Sequence, residues 1–163
     1  MSLARSLVRR ALFCLCAGTL VVGLGACQLR RPASAPVAAQ AFAPSSEADQ
    51  ALALLNGFRA ANGLPALAVA GDATAKAQSH SDEMAAALSL YHSSDLAAGI
   101  QPGWTMLGEN VGVGSTEDQL IDMFANSGPH RENMLSPAYN QVGVGVAHGG
   151  DGRIYVTQFF VAR

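Results

Sequence analysis

Three residues in this chain have side chains suited to chemistry and positions that would display them. His92 and His130 each follow a predicted helix and open a loop, where functional groups are commonly presented. Glu109 sits in Gly108-Glu109-Asn110 at the start of a predicted strand. A carboxylate entering a sheet between apolar residues must be exposed, paired or hydrogen-bonded. Two imidazoles and a carboxylate suit Zn²⁺ or another divalent ion with an open coordination position. They suit a hydrogen-bonded structural cluster equally well, and the sequence separation does not decide between the two.

The other two histidines read differently. His80 lies on the inner stripe of a helix and, with Glu83 three residues on, resembles half a metal site; a core histidine is the expectation. His148 falls in a turn and is expected to be solvated. Ser93 and Ser127 lie near the histidines, but neither sits in a Gly-x-Ser-x-Gly elbow that would mark a nucleophile.

Cys27 is the remaining reactive side chain, and its surroundings give it a different role. The first ten residues carry Arg5, Arg9 and Arg10 and no acid, and residues 11–26 are uncharged. About 16 apolar residues fall short of the roughly 20 that span a bilayer, so residues 1–26 read as a signal peptide. Leu24-Gly25-Ala26-Cys27 resembles the bacterial lipobox, which implies diacylglyceryl attachment to Cys27 and cleavage before it. Cys14 and Cys16 lie in the segment removed, so the mature chain keeps one cysteine and no internal disulfide. The expected location is the extracytoplasmic face of a bacterial envelope, with the membrane as a partner through the lipid.

The elements that must position these groups follow. Residues 27–46 hold the modified cysteine and a Pro/Ala/Ser-rich stretch that reads as a tether. Residues 47–163 are one domain, with five basic residues against twelve acidic ones, a net of −7. That balance excludes a nucleic-acid partner, which needs basic groups against phosphate. A monomer is expected. Ser46 caps a helix over 47–61 with Leu52, Leu55 and Phe58 on one face. A second helix is expected from an Asp72 cap to about Leu90, with a stripe of Ala73, Ala77, His80, Met84 and Leu88. Leu107–Val113 reads as a strand. Thr116-x-x-Gln119 is a capping box for a helix to about 127, with Leu120, Ile121 and Phe124 inward, broken at Ser127-Gly128-Pro129. Val142–Ala147 and Ile154–Val161 form a closing hairpin. Helices first and strands late argue an α+β fold with an antiparallel sheet.

Several motifs, in order, resemble one family. They are Asn56-x-x-Arg59 with Gly63-Leu64-Pro65-x-Leu67, Ser81-x-x-Met84, His92, Gly108-Glu109-Asn110, Phe124 through Leu135 (FANSGPHRENML), Val142-Gly143-Val144-Gly145 and Tyr155-Val156-x-Gln158-x-Phe160. Together they are similar to the bacterial branch of the CAP superfamily, also called SCP, after cysteine-rich secretory protein, antigen 5 and pathogenesis-related 1. The resemblance implies an α-β-α sandwich and a cleft lined by two histidines and up to two acids. His92, Glu109 and His130 match three of these positions. Ser127 stands where many members have a fourth, acidic residue, and Phe124 replaces a tryptophan.

Three roles remain open for this set. One is a non-catalytic module that binds a small molecule, lipid, cell-wall fragment or protein and requires no cofactor. Another is a metal-assisted hydrolase, with His92 and His130 on the ion and Glu109 as general base or ligand. In the third, Glu109 is structural and pins the strand through backbone N–H bonds.

Overall fold

The computed structural model describes residues 46–163; the expected signal peptide, Cys27 and nearly all of the expected tether lie outside the described residues. The elements are α1 (Glu47–Ala61), β1 (Ala68–Val69), α2 (Gly71–Ala87), β2 (Met106–Gly114), α3 (Glu117–Asn126), α4 (Gly128–Leu135), β3 (Gln141–His148) and β4 (Ile154–Ala162). They build a four-stranded sheet in the order β1-β3-β4-β2, antiparallel except where β1 runs parallel to β3. The expected α+β fold, a sheet between helices, is observed.

The two faces of the sheet are set by strand alternation. On one face Val142, Val144, Val156 and Phe160 pack with Leu55, Leu120, Phe124 and Met134 of α1, α3 and α4. On the other, Phe159 and Val161 meet Ala73 and Ala77 of α2, while Val111 and Tyr155 meet Met84. Gly143 and Gly145 let α2 lie directly on β3. A Cβ at either position would overlap the backbone of Ala73 or Ala77. β4 is covered on both faces and buried along its whole length, which explains its run of large apolar residues.

Ser46 caps α1 as expected, accepting from the Asp49 N–H at 3.1 Å. The buried face of α1 is Ala51, Leu55 and Arg59, with Leu52 and Phe58 only partly covered. Arg59 is fully buried and has no carboxylate partner among the described residues. Its guanidinium donates to the carbonyls of Pro65, Met134 and Ser136 at 3.0, 2.7 and 3.1 Å. It thereby satisfies the C-terminal end of α4, where a cation is favoured.

Four expectations need correction. Helix α2 starts at Gly71 with Ala70 as its cap. Asp72 is inside the first turn, accepting from Ala73 N and Gln101 N and paired with Arg163. The helix ends at Ala87, because Leu88 takes a left-handed φ of 50° and turns out to solvent instead of completing the inner stripe. Ser127-Gly128-Pro129 ends α3 but also begins α4, because proline is tolerated in a first helical turn. His130 therefore lies on a helix and not in a loop. Gln119 closes only half of a capping box: its N–H bonds Thr116 Oγ1, while its side chain accepts from Ser115 N.

Candidate functional site

Glu109 is the fourth residue of β2 and pairs with Phe159 of β4, so its side chain faces the α2 side of the sheet. The loop leaving α2 folds over it. Glu109 Oε1 accepts from the Ser93 N–H and from His92 Nδ1, both at 2.9 Å, and Oε2 accepts from Ser93 Oγ at 2.5 Å. The carboxylate side chain is 2% exposed and the imidazole of His92 60% exposed. Burial pushes the Glu109 carboxyl up. The Ser93 hydroxyl, the Ser93 N–H and His92 pull it down by more, so its net pKa lies below the ordinary range.

This arrangement fixes the tautomer of His92. A carboxylate only accepts, so Nδ1 carries the proton and neutral His92 presents an Nε2 lone pair. Three bonds on four acceptor positions leave the carboxylate one free position.

His80 supports the loop from below. Its Nε2 donates to the Tyr91 carbonyl at 2.8 Å, and its ring meets the Tyr91 ring edge-on at 5.2 Å. It is buried, as expected of a core histidine, and Glu83 approaches Nδ1 only to 3.6 Å. His148 ends β3, is exposed as expected, and pairs with Glu47 at 2.8 Å.

His130 approaches from the other face of the sheet. Its ring packs edge-on against Phe124 at 5.0 Å. Its carbonyl accepts from Asn110 Nδ2 at 3.1 Å. Asn110 also donates to Gln158 Oε1 at 3.1 Å and accepts from Asn133 Nδ2 at 2.9 Å. This buried amide chain ties α4 to the edge strand β2 and to its neighbour β4, and Asn110 and Gln158 interrupt otherwise apolar strands. Burial, then the charge of His92, lowers the pKa of His130, which favours neutral imidazole at neutral pH.

The three expected residues thus gather at the open edge of β2 without forming one pocket. His92 borders a depression between α2 and residues 91–99, with Lys76, His80, Glu83 and Ser93. His130 and Ser127 border a second, mostly apolar one with Leu90, Val111, Met123 and Phe124. Among the described residues no set of three or more His, Cys, Asp or Glu converges as metal ligands. An ion here would draw on His92 Nε2 and His130, and the donor set contains no free carboxylate beyond the one open position on Glu109. Ser93, the residue that engages Glu109 most, is not legible from spacing. Its only sequence signal is that it follows His92.

A helix-sheet-helix domain with an acid–histidine cleft at an open sheet edge defines a recognisable class. The CAP: Cysteine-rich secretory protein family model matches residues 52–161, and the chain belongs to this family. An extracellular SCP-domain protein of Bacillus anthracis superposes with a TM-score of 0.63 at 27% identity, over 72% of this chain and 40% of that one. An outer surface protein of Borrelia burgdorferi superposes with a TM-score of 0.63 at 13% identity, over 75% of this chain and 96% of that one. A cysteine-rich secretory protein of Staphylococcus aureus gives 0.60 at 22% identity, over 72% and 38%. The last two likenesses show the fold alone. The chain therefore spans well under half of the Bacillus and Staphylococcus proteins. No curated protein is significantly similar in sequence. Among the described residues no helix is long and apolar enough to cross a membrane.

Proposed function

We propose that this chain is an exported lipoprotein whose CAP domain is a non-catalytic binding module, held at the bacterial envelope by lipid on Cys27 and by the 28–46 tether. The cleft at the β2 edge presents His92 and His130 to a ligand. The observation that carries this reading is the state of Glu109. Its carboxylate is buried, ionised and committed to Ser93 and His92 by three hydrogen bonds, so it orients the cleft and is a poor proton acceptor. The test is capture from envelope extracts and a lipid-binding screen, comparing the full chain with its His92→Ala/His130→Ala variant. A ligand held by the first and lost by the second is expected; identical capture by both would sink the reading. Anchoring is tested separately: Cys27→Ser should move the protein from the membrane fraction to the soluble one.

The runner-up, a metal-assisted hydrolase, is favoured by the His92 tautomer. The Glu109 pair aims a lone pair outward from Nε2, as a carboxylate behind a ligating histidine does. In that reading His92 and His130 hold the ion, and Glu109 acts mainly through His92. Stoichiometric Zn²⁺ uptake at neutral pH that both alanine variants abolish would favour it over simple binding.

A further inference from the structure

Among the described residues the outer edge of β2 has no neighbouring strand, and three hydrogen bonds fix where its main-chain groups point. Thr105 N–H donates to the Ala162 carbonyl, so even-numbered residues of β4 turn toward β2. Asn140 N–H donates to the Val161 carbonyl, so odd-numbered ones turn toward β3. Antiparallel pairing alternates. With Glu109 opposite Phe159 and Val111 opposite Thr157, the odd-numbered residues of β2 therefore present N–H and C=O outward. Asn133 Nδ2 confirms the parity by donating to the outward Glu109 carbonyl at 3.3 Å.

At the other end, the outward Ser115 N–H is taken by Gln119 Oε1 at 2.8 Å. Between these two amide caps lie Val111 and Val113, whose outward main-chain groups have no partner among the described residues. Val111 is nevertheless only 4% exposed. The strand edge forms the floor of the apolar depression walled by Leu90, Met123, Phe124 and His130. Val113 is partly exposed, but at the buried Val111 unpaired peptide groups are unfavourable and call for a partner.

We infer that the Val111–Val113 edge of β2 takes an extended, uncharged peptide segment of a partner protein as an added strand, an apolar side chain of which seats against Leu90, Met123 and Phe124. This rests on the binding-module reading and names the ligand class for the same cleft. A peptide supplies donors and acceptors at the strand repeat together with apolar side chains. An acyl chain fills the apolar walls but leaves the main-chain groups unpaired. No lining residue other than His130 is titratable, so nothing there matches a charged segment. The window is two outward residues long, which limits edge-to-edge aggregation.

The test uses the isotopically labelled full chain in detergent micelles. The probes are three end-capped heptapeptides alternating threonine with valine, leucine or phenylalanine. At least one is expected to shift the Val111–Val113 resonances and slow exchange of both amides about tenfold. Methylating the amide nitrogens on one edge of that peptide should weaken it about tenfold per hydrogen bond lost. Val113→Pro, which removes an outward N–H from an edge strand, should abolish binding while the Glu109–His92 contact persists. No response to any peptide at about 1 mM, the weak end of specific affinity, overturns the proposal. So does equal binding of the methylated peptide, or protection of the same amides by a concentration-dependent dimer without peptide. Failure of strand addition alongside histidine-dependent capture leaves the binding-module reading standing. Strand addition alongside histidine-independent capture does the reverse.

Discussion

The carboxylate of Glu109 accepts both the main-chain N–H and the hydroxyl of Ser93, at 2.9 and 2.5 Å. One buried acid thus closes a loop sixteen residues upstream onto the sheet and leaves His92 exposed on top. The carboxylate stands as the acceptor for the Ser93 hydroxyl proton, but its pKa lies below the ordinary range, which makes it a weak base toward that hydroxyl.

Removing the acid should therefore damage the fold before it affects any activity. Glu109→Ala leaves the Ser93 N–H and hydroxyl unpaired and is expected to cost about 3–5 kcal/mol in urea unfolding. Ser93→Ala removes one charge-assisted bond and should cost about 1.5–3 kcal/mol. His92→Ala removes an exposed partner and should cost under about 1 kcal/mol. If Glu109→Ala and His92→Ala prove equally mild, the loop is not held by this carboxylate.

Arg59 makes a second, independent claim. Its buried guanidinium joins α1 to the end of α4 through the Met134 and Ser136 carbonyls and to the loop after α1 through that of Pro65, and burial lowers its pKa. Arg59→Lys keeps the charge but not the fork of donors. We expect it to lose about 2 kcal/mol, with Arg59→Ala losing about 4 kcal/mol or failing to fold, since each orphaned buried carbonyl costs about 1–3 kcal/mol. Thermal unfolding in which the lysine variant matches the parent would show that a point charge suffices.

The contrast between these two residues shows what the sequence discloses. Short apolar runs mark β2, β3 and β4, which are covered on both faces, and period-3.6 patterns mark α1 and α3, which each bury one. Helix α4 is hidden because Gly128-Pro129 reads as a breaker, whereas a proline costs nothing in a first turn, whose N–H groups have no helical partner. Strand β1 is two residues long and carries no period. His92, Glu109 and His130 are visible as types out of place. Their partners are not: Ser93 reaches Glu109 through a loop, and Arg59 looks like any surface cation until α4 closes over it. The amide chain of Asn110, Asn133 and Gln158 lies between, since polar residues in buried strands signal that something must satisfy them.

Gly143 and Gly145 set the seating of α2 on the sheet, and with it the loop that carries His92. A Cβ at Gly143 would overlap the backbone of Ala73 and one at Gly145 that of Ala77, neither of which can rotate away. Each alanine substitution is expected to cost about 3 kcal/mol, the upper part of the overpacking range. Ligand capture should fall with it. Gly150→Ala, at a position with open space around the added carbon, serves as the control and should be neutral within about 0.5 kcal/mol. Near-wild-type melting of Gly143→Ala would mean that the helix rides higher on the strand than described.

The acid limb of stability should show two stages, both of the same sign. The pKa of His130 is lowered in the folded state from 6.5. The unfolded imidazole therefore takes a proton first, and stability falls as pH drops from above 6.5 through the folded value. The pKa of Glu109 is lowered from 4.5. Its contribution is fully present above 4.5 and is lost as pH falls through its folded value. Asp72, whose carboxyl burial raises but Arg163 and two backbone N–H groups lower further, adds to this second stage. Unfolding free energy measured from pH 8 to 3 should be flat at the top, decline gently near pH 6 and decline again below 4.5. His130→Gln should erase the first decline and leave the second, and Glu109→Gln should shrink the second and leave the first. A profile that rises between pH 7 and 5.5 would contradict the desolvation of His130 and, with it, the dry apolar wall that this imidazole gives to the edge of β2.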